Sequence, residues 1–294
     1  MAGVMFQKAV KGKKPLRLVL SGASGSGKSW TSLEFASWLA SQTGKRTAAI
    51  DTEHGRLSLY ADKFQFDVIE IDPPFHPDRL IEIIKAAEEN GYGQLIVDSS
   101  THFWNGSGGI LELVSEAAKT RFGGNQYAGW SVGTPLQNKV IDTILRSPLH
   151  IIFTTRAKQD YLETEKNGKK VYEKVGMGME QKSGFEFDFD FAIMMDMDNN
   201  GMVTKGMGIV PPNTYLKHPS SDAISNIMKA IQENSVDLLS PSESKEYKSK
   251  VKSIMDENKD KEEDYKKLFR EIGNPNTMNQ KEQFETLIEK MKKV

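Results

Sequence analysis

From Leu16 to about Thr155 the chain alternates short apolar runs with amphipathic stretches of helical period. Leu16–Leu20 (LRLVL) reads as a buried strand; Thr47–Ile50 leading into Asp51 and Asp67–Ile71 are each short and β-branched enough for a parallel strand, and Gln94–Val97 ending on Asp98 and His150–Thr155 read as further strands. Between them Lys28–Ala40 reads as a helix, as does Pro77–Asn90, with Leu80, Ile83, Ile84 and Ala87 at helical spacing. Two further helices are expected near Gly109–Arg121 and Thr134–Arg146. Strands alternating with helices predict an α/β fold with a parallel sheet covered on both faces. In such sheets ligands collect at the carboxyl ends of the strands.

After Thr155 the pattern changes. Tyr161–Glu165 and Lys170–Lys174 flank Asn167-Gly168, a hairpin signal. Phe185–Phe191 (FEFDFDF) alternates aromatic and acidic residues at strand period, and Asn199-Asn200-Gly201 turns into Met202–Lys205. These segments are expected to add antiparallel strands to the sheet. Ser220–Gln232 reads as a helix, Asp237–Ser244 as a linker, and Lys245–Val294 as three lysine- and glutamate-rich helical stretches broken at Gly273–Pro275. The expected division is a mobile basic arm at 1–14, a core at 15–235, a linker at 236–244 and a helical module at 245–294.

Composition narrows the chemistry. The 294 residues are 38% hydrophobic and 27% charged, with a net charge of −1, which is the balance of a globular protein with a sizeable core. There is no cysteine, so disulfides, thiolate metal sites and cysteine nucleophiles are excluded, and a reducing cytoplasm is the compatible setting. The five histidines are scattered, with no pair at the spacing of a helical metal site. No run approaches the ~18 apolar residues of a membrane helix, and the basic start lacks the apolar region of a signal peptide, so no membrane association is expected. Near-zero net charge argues against a polybasic nucleic-acid binder, although a local basic groove stays open.

The strongest motif is Gly22-Ala23-Ser24-Gly25-Ser26-Gly27-Lys28-Ser29, which satisfies GxxxxGK[ST]. Its glycines let successive N–H groups curl round a β-phosphate, and Lys28 supplies charge to the β and γ oxygens. Ser29 offers a hydroxyl to Mg²⁺, and the helix beginning there, with Trp30 next, points its positive end at the phosphates. A flexible glycine-serine turn is the alternative, and the preceding apolar strand and following helix disfavour it. Asp98 ends the run LIVD, where a carboxylate can hold magnesium through water; a strand-end aspartate that only caps the next loop is the competing explanation.

Asp51-Thr52-Glu53-His54 resembles the D-x-E-H strand end of the RecA superfamily of ATPases. The resemblance implies that Glu53 activates the attacking water. Tyr60-Ala61-Asp62-Lys63 resembles the family's Y-A-x-K and implies that Tyr60 stacks on adenine, against the alternative of an ordinary core tyrosine. Leu57 departs from the pattern, standing where bacterial RecA has an aspartate near the base. The likeness is closer to a phage branch of short RecA-like ATP-binding proteins, some of them single-strand-annealing recombinases. It is carried by DTEHGRLSLYADKFQFDV, LIVDSSTHFW, Gly108–Glu112, Trp130 with Thr134-Pro135, HIIFTTRAKQDY, NGKKVYEKVG and GFEFDFDFAI, over roughly residues 15–210. It implies a RecA-like P-loop NTPase fold, with ATP and Mg²⁺ as ligands. Gly206 follows Lys205 where that branch often has a serine-arginine pair, so a phosphate-sensing arginine is absent there.

Several residues are candidates for coupling to a partner. Arg156 and Lys158 follow the strand His150–Thr155; the resemblance implies that Arg156 reads the γ-phosphate and that Lys158, with the loop to Ser183, contacts nucleic acid. A solvated basic turn is the alternative. Lys205 sits where RecA-like filaments place a lysine reaching into the neighbouring subunit's site, against the alternative of an ordinary hairpin lysine. Arg121–Gly133 (RFGGNQYAGWSVG) reads as a flexible loop whose Arg121, Tyr127 and Trp130 suit stacking on single-stranded bases. His102, Phe103 and Trp104 are read as packing, and Glu186, Asp188 and Asp190 as a solvated strand face rather than a metal site. The C-terminal segment opening at Met278 resembles helical modules of phage recombination proteins.

Two functions follow. One is an ATPase that binds single-stranded DNA, forms homo-oligomers and promotes annealing or strand exchange in phage recombination, in the host cytoplasm and alongside phage single-stranded-DNA-binding or replication proteins. The other is a nucleotide-gated regulatory or scaffold protein acting on such partners without touching DNA. A small-molecule kinase is disfavoured, because Glu53 is placed for water rather than for an acceptor hydroxyl.

Overall fold

The computed structural model describes residues 11–166, 169–219, 221–233, 235–236, 239 and 241–294, and side chains in all of these but 159–177, 241 and 242. Residues 15–231 pack as one unit. Its strands are β1 (Arg17–Gly22), β2 (Thr47–Asp51), β3 (Asp67–Glu70), β4 (Gln94–Asp98), β5 (His150–Lys166), β6 (Lys169–Met179), β7 (Phe191–Met195), β8 (Gly201–Lys205) and β9 (Tyr215–Leu216). Its helices are α1 (Lys28–Thr43), α2 (Pro77–Glu89), α3 (Thr101–Asn105), α4 (Ile110–Arg121), α5 (Gln126–Arg146) and α6 (Ser221–Gln232).

The sheet runs β3-β2-β4-β5-β1-β7-β8-β9, with β6 attached to β5 outside this path. The first six strands are parallel, and β8 and β9 are antiparallel. β1 and β4 are buried along their whole length, as central parallel strands must be when helices cover both faces. One face packs Leu18, Leu20 and Ile96 against Leu33, Phe35 and Leu39 of α1. The other packs Val19, Leu95 and Phe153 against α2 and α5. The mixed α/β architecture with a mostly parallel sheet is the one expected from the sequence pattern.

Register brings the functional ends together. Asp51 lies opposite Asp98 across β2 and β4, and Gly22 lies opposite Arg156 of β5 and Met195 of β7. The inserted β5 separates the strand that ends in Asp98 from the strand that opens the glycine loop, so its own residues Thr154 and Arg156 lie between them.

Four expectations need correction. Phe185–Asp188 is a 3-10 turn and the strand starts only at Phe191. Phe185 and Phe189 are one helical turn apart and both pack on Phe153, at 6.2 and 5.4 Å between ring centroids, while Phe187 is 72% exposed. Glu186, Asp188 and Asp190 therefore do not share a strand face. Second, β7 adds to the sheet in parallel, not antiparallel. Third, Gln126–Gly133 is the first part of α5 rather than a flexible loop. The glycines that suggested flexibility let α4 and α5 touch: a Cβ at Gly129 would lie 2.5 Å from the Val114 carbonyl oxygen, and one at Gly133 2.4 Å from Val114 Cγ2. Fourth, β5 does not stop at Thr155 but continues to Lys166 and pairs with β6 from Ala157 to Lys166. The expected turn at Asn167-Gly168 lies outside the described residues.

The second unit comprises the described residues 11–14 and 232–294. It holds α7 (Pro241–Glu257), α8 (Glu262–Glu271) and α9 (Lys281–Lys293), packed around Val251, Tyr265, Phe284 and Leu287. Residues 1–10 of the expected mobile arm, and 237, 238 and 240 of the expected linker, lie outside the described residues. The end of the arm is tied down: Lys13 N–H donates to the Val236 carbonyl at 2.9 Å, and Val236 N–H to the Lys11 carbonyl at 2.8 Å.

Candidate nucleotide-binding site

The loop Gly22–Ser29 leaves β1 at the carboxyl edge of the sheet and enters α1. Two of its glycines are required by contact. A Cβ at Gly22 would lie 2.6 Å from the Met195 carbonyl, and Gly27, at φ 82°, would put a Cβ 2.7 Å from Asn199 Oδ1. Gly25, Ser24 and Ser29 line a cleft of about 720 Å³, while Ser26 is fully buried beneath the loop. Lys28 is buried and folds over the loop, its ammonium donating to the carbonyl oxygens of Gly22 and Ala23 at 3.0 and 2.7 Å. Burial pulls the Lys28 ammonium below its ordinary range, and Asp98 and Glu53 counter part of that shift.

Asp98 is buried at the end of β4 and accepts hydrogen bonds from the hydroxyls of Ser29 and Thr154. Burial pushes its carboxyl above the ordinary range, opposed by those two donors. A serine hydroxyl and a carboxylate side by side, next to a glycine cradle, are the hard oxygen donors that suit Mg²⁺. The residues present therefore fit the metal.

Glu53 leaves the end of β2 on a loop that is held from below. The buried Asp51 carboxylate accepts from the N–H groups of Glu53 at 2.6 Å and Leu57 at 2.8 Å. Thr52 ties this loop to the one after Asp98: its hydroxyl donates to the Ser99 carbonyl and accepts from the Ser99 N–H, at 3.1 and 2.9 Å. The same hydroxyl lies 2.7 Å from His102 Nδ1, and His102 stacks on Phe75, so His102 packs and orients as its sequence context suggests. Arg156 faces Glu53 across the cleft, with Nη2 2.7 and 2.9 Å from its two carboxylate oxygens. Burial raises the Glu53 carboxyl, but the hydrogen bond and charge of Arg156 outweigh it, and the group sits below its ordinary range.

Away from the phosphate end, Trp30 and Tyr60 line the cleft and meet edge to face at 5.6 Å. Leu57, the departure noted in the sequence, is fully buried in the core and does not line the cleft. Lys158 is exposed at the start of the β5–β6 arm. Lys205 does not line its own chain's cleft; its ammonium donates to the Phe187 carbonyl at 2.6 Å. Arg121 ends α4, Tyr127 is 89% exposed on α5, and Trp130 packs on Trp104 at 5.8 Å with Ile110 and Val114. The single flexible aromatic-basic loop expected there does not exist.

Sequence reasoning missed the far wall of the cleft, made by Asn199 of the β7–β8 turn and by His218 and Pro219 after β9. The Asn199-Asn200-Gly201 turn was legible, but nothing local to it signals that it folds over the glycine loop. Glu34 and Arg56 also line the cleft and were not singled out.

A glycine cradle, a lysine, a paired hydroxyl and carboxylate, and a glutamate on the neighbouring strand end define a P-loop nucleotide site. Residues 14–217 match the AAA domain family, and the chain belongs to it as an AAA-type P-loop ATPase. No curated protein matches the chain. No helix among the described residues is long and apolar enough to cross a membrane.

Proposed function

We propose that this chain is a Mg-ATPase of recombination type that binds single-stranded DNA as a homo-oligomer and promotes annealing or strand exchange. The observation that carries the reading is the path of β5. This one strand supplies Thr154, which bonds the metal-side carboxylate Asp98, then Arg156, which pairs with Glu53, and then runs directly into the β5–β6 arm with Lys158 at its base. A nucleic acid lying on the arm would thus pull on the same strand that positions the catalytic pair.

In this reading the loop N–H groups and Lys28 hold the β- and γ-phosphates. Ser29, through its hydroxyl, and Asp98, through water, would hold Mg²⁺, which when bound would supply charge neutralisation at the phosphate oxygens. Glu53 accepts a proton from the attacking water, and Arg156 transfers from Glu53 to the γ-phosphate, which frees the carboxylate to act as the base. Tyr60 and Trp30 flank the base. Lys205, engaged outside its own cleft, acts on a neighbouring subunit, so specific activity rises with protein concentration; strict proportionality would sink that role. The division into a core at 15–235, a linker at 236–244 and a helical module at 245–294, and the cytoplasmic setting, belong to the same proposal.

A second reading is a nucleotide-gated scaffold for replication or recombination proteins. It is favoured by the net charge of −1 and by the use of Trp130 in packing. Steady-state ATP hydrolysis with and without single-stranded DNA, at two salt concentrations, separates the two. Stimulation that fades at high salt supports the recombination reading. Turnover indifferent to DNA, yet lost in Lys28→Ala, moves the assignment to the scaffold.

A further inference from the structure

The short helix α3 follows the metal-side strand end and braces both members of the Glu53–Arg156 pair. Its Thr101 hydroxyl is buried and accepts the Arg156 N–H at 2.9 Å. Its next residue, His102, reaches the Glu53 side through Thr52. Thr52 is buried and tied twice to the neighbouring strand end. Its N–H donates to the Asp98 carbonyl at 2.8 Å, and its hydroxyl bridges the carbonyl and N–H of Ser99. The Ser99 hydroxyl in turn donates to Glu53 Oε1 at 3.4 Å. Glu53 follows Thr52 directly, so a shift of Thr52 moves the carboxylate.

A hydroxyl has one proton to give and two lone pairs to fill. Thr52 gives its proton to the Ser99 carbonyl and fills one lone pair with the Ser99 N–H. The contact with His102 Nδ1 at 2.7 Å therefore uses the second lone pair, with His102 as the donor. A neutral imidazole protonated at Nδ1 supplies that donor, and burial holds the ring below its ordinary pKa range. His102 does not line the cleft, so any effect it has on turnover is indirect. We propose that His102 is a positioning residue for water activation: its Nδ1–H completes the bonding of the Thr52 hydroxyl and so fixes the Glu53 carboxylate. This inference rests on the role given to Glu53 above and adds to it the residue that holds it in place.

The test is steady-state ATP turnover, with ATP affinity titrated separately in the presence of Mg²⁺, on the full-length protein. The variants are His102→Phe, His102→Asn, Glu53→Gln and the His102→Phe/Glu53→Gln double. Phenylalanine keeps a ring against Phe75, where His102 stacks at 5.1 Å, but loses the donor. Asparagine loses the ring but returns an N–H donor at the same remove from the backbone. His102→Phe is expected to lower kcat by at least about tenfold with ATP affinity unchanged. His102→Asn is expected to hold kcat within about threefold of the wild type. Adding His102→Phe to Glu53→Gln should cause no further loss, because both act through one carboxylate. A packing role alone predicts the opposite ranking of the two His102 variants. Wild-type turnover in His102→Phe, His102→Asn no faster than His102→Phe, a fall in ATP affinity in place of kcat, or additive losses in the double variant overturns the assignment and leaves the nucleotide site standing. No turnover by the wild type, or wild-type turnover in Glu53→Gln, overturns the role of Glu53 itself, and this inference with it.

Discussion

Arg156 and Glu53, 103 positions apart in sequence, form a two-pronged ion pair across the cleft, with Nη2 2.7 Å from one carboxylate oxygen and 2.9 Å from the other. On the proposed roles, the pair joins the residue that would activate water to the residue that would read the γ-phosphate, so nucleotide binding would have to exchange partners within the pair. The pair also sets the protonation of Glu53, since Arg156 overrides the upward push of burial. In Arg156→Ala the upward push of burial is opposed only by the weaker charges of His102 and Arg56. The acid limb of the kcat/KM profile, which reports the free enzyme, is therefore expected to move to higher pH, with kcat reduced by about a hundredfold. An acid limb unmoved by the substitution would contradict the pairing.

The α4–α5 contact gives a stability prediction. Gly129 and Gly133 approach Val114 too closely for any side chain, so Gly133→Val is expected to cost about 1–3 kcal/mol through overpacking. Tyr127→Ala, on the exposed side of the same helix, should stay within about 0.5 kcal/mol of the wild type. Urea unfolding midpoints distinguish the two, and equal midpoints would mean that these glycines do not pack as described.

His150 gives a pH dependence. Burial, reinforced by the charges of Arg17 and Lys45, lowers its pKa from 6.5 to about 4, and its Nδ1 accepts the Leu16 N–H at 2.9 Å, a bond that protonation would break. The unfolded chain then binds a proton that the folded chain refuses between those pH values. The stabilisation due to neutral His150 is complete above pH 6.5 and is lost as pH falls towards 4, by at most about 3 kcal/mol. His150→Asn, which can accept the same bond without titrating, should flatten this part of the stability–pH curve. A curve of unchanged slope would remove His150 as its source.

Much of the site was legible because its chemistry is local. The segment Gly22–Ser29 must be a loop between strand and helix to do anything with eight such residues, and Asp51, Glu53 and Asp98 each follow an apolar run that can only be a strand. What was not legible depends on tertiary contact. Gln126–Gly133 has the composition of a loop, and only the approach of Val114 makes its glycines a helix–helix contact. FEFDFDF alternates like a strand, but Phe185 and Phe189 pack on each other, at 4.9 Å between centroids, and both on the ring of Phe153, an arrangement the 3-10 turn allows. The Arg156–Glu53 pair and the wall at Asn199, His218 and Pro219 arise from sheet order and register, which no local pattern encodes.

The most direct test of the account is ATP binding and hydrolysis by the purified protein with Mg²⁺, compared with Lys28→Ala and Glu53→Gln. The wild type is expected to bind and turn over ATP, Lys28→Ala to do neither, and Glu53→Gln to bind ATP with turnover reduced by about 10²–10⁴-fold. Turnover by Glu53→Gln at the wild-type rate, or ATP binding undiminished in Lys28→Ala, would contradict it.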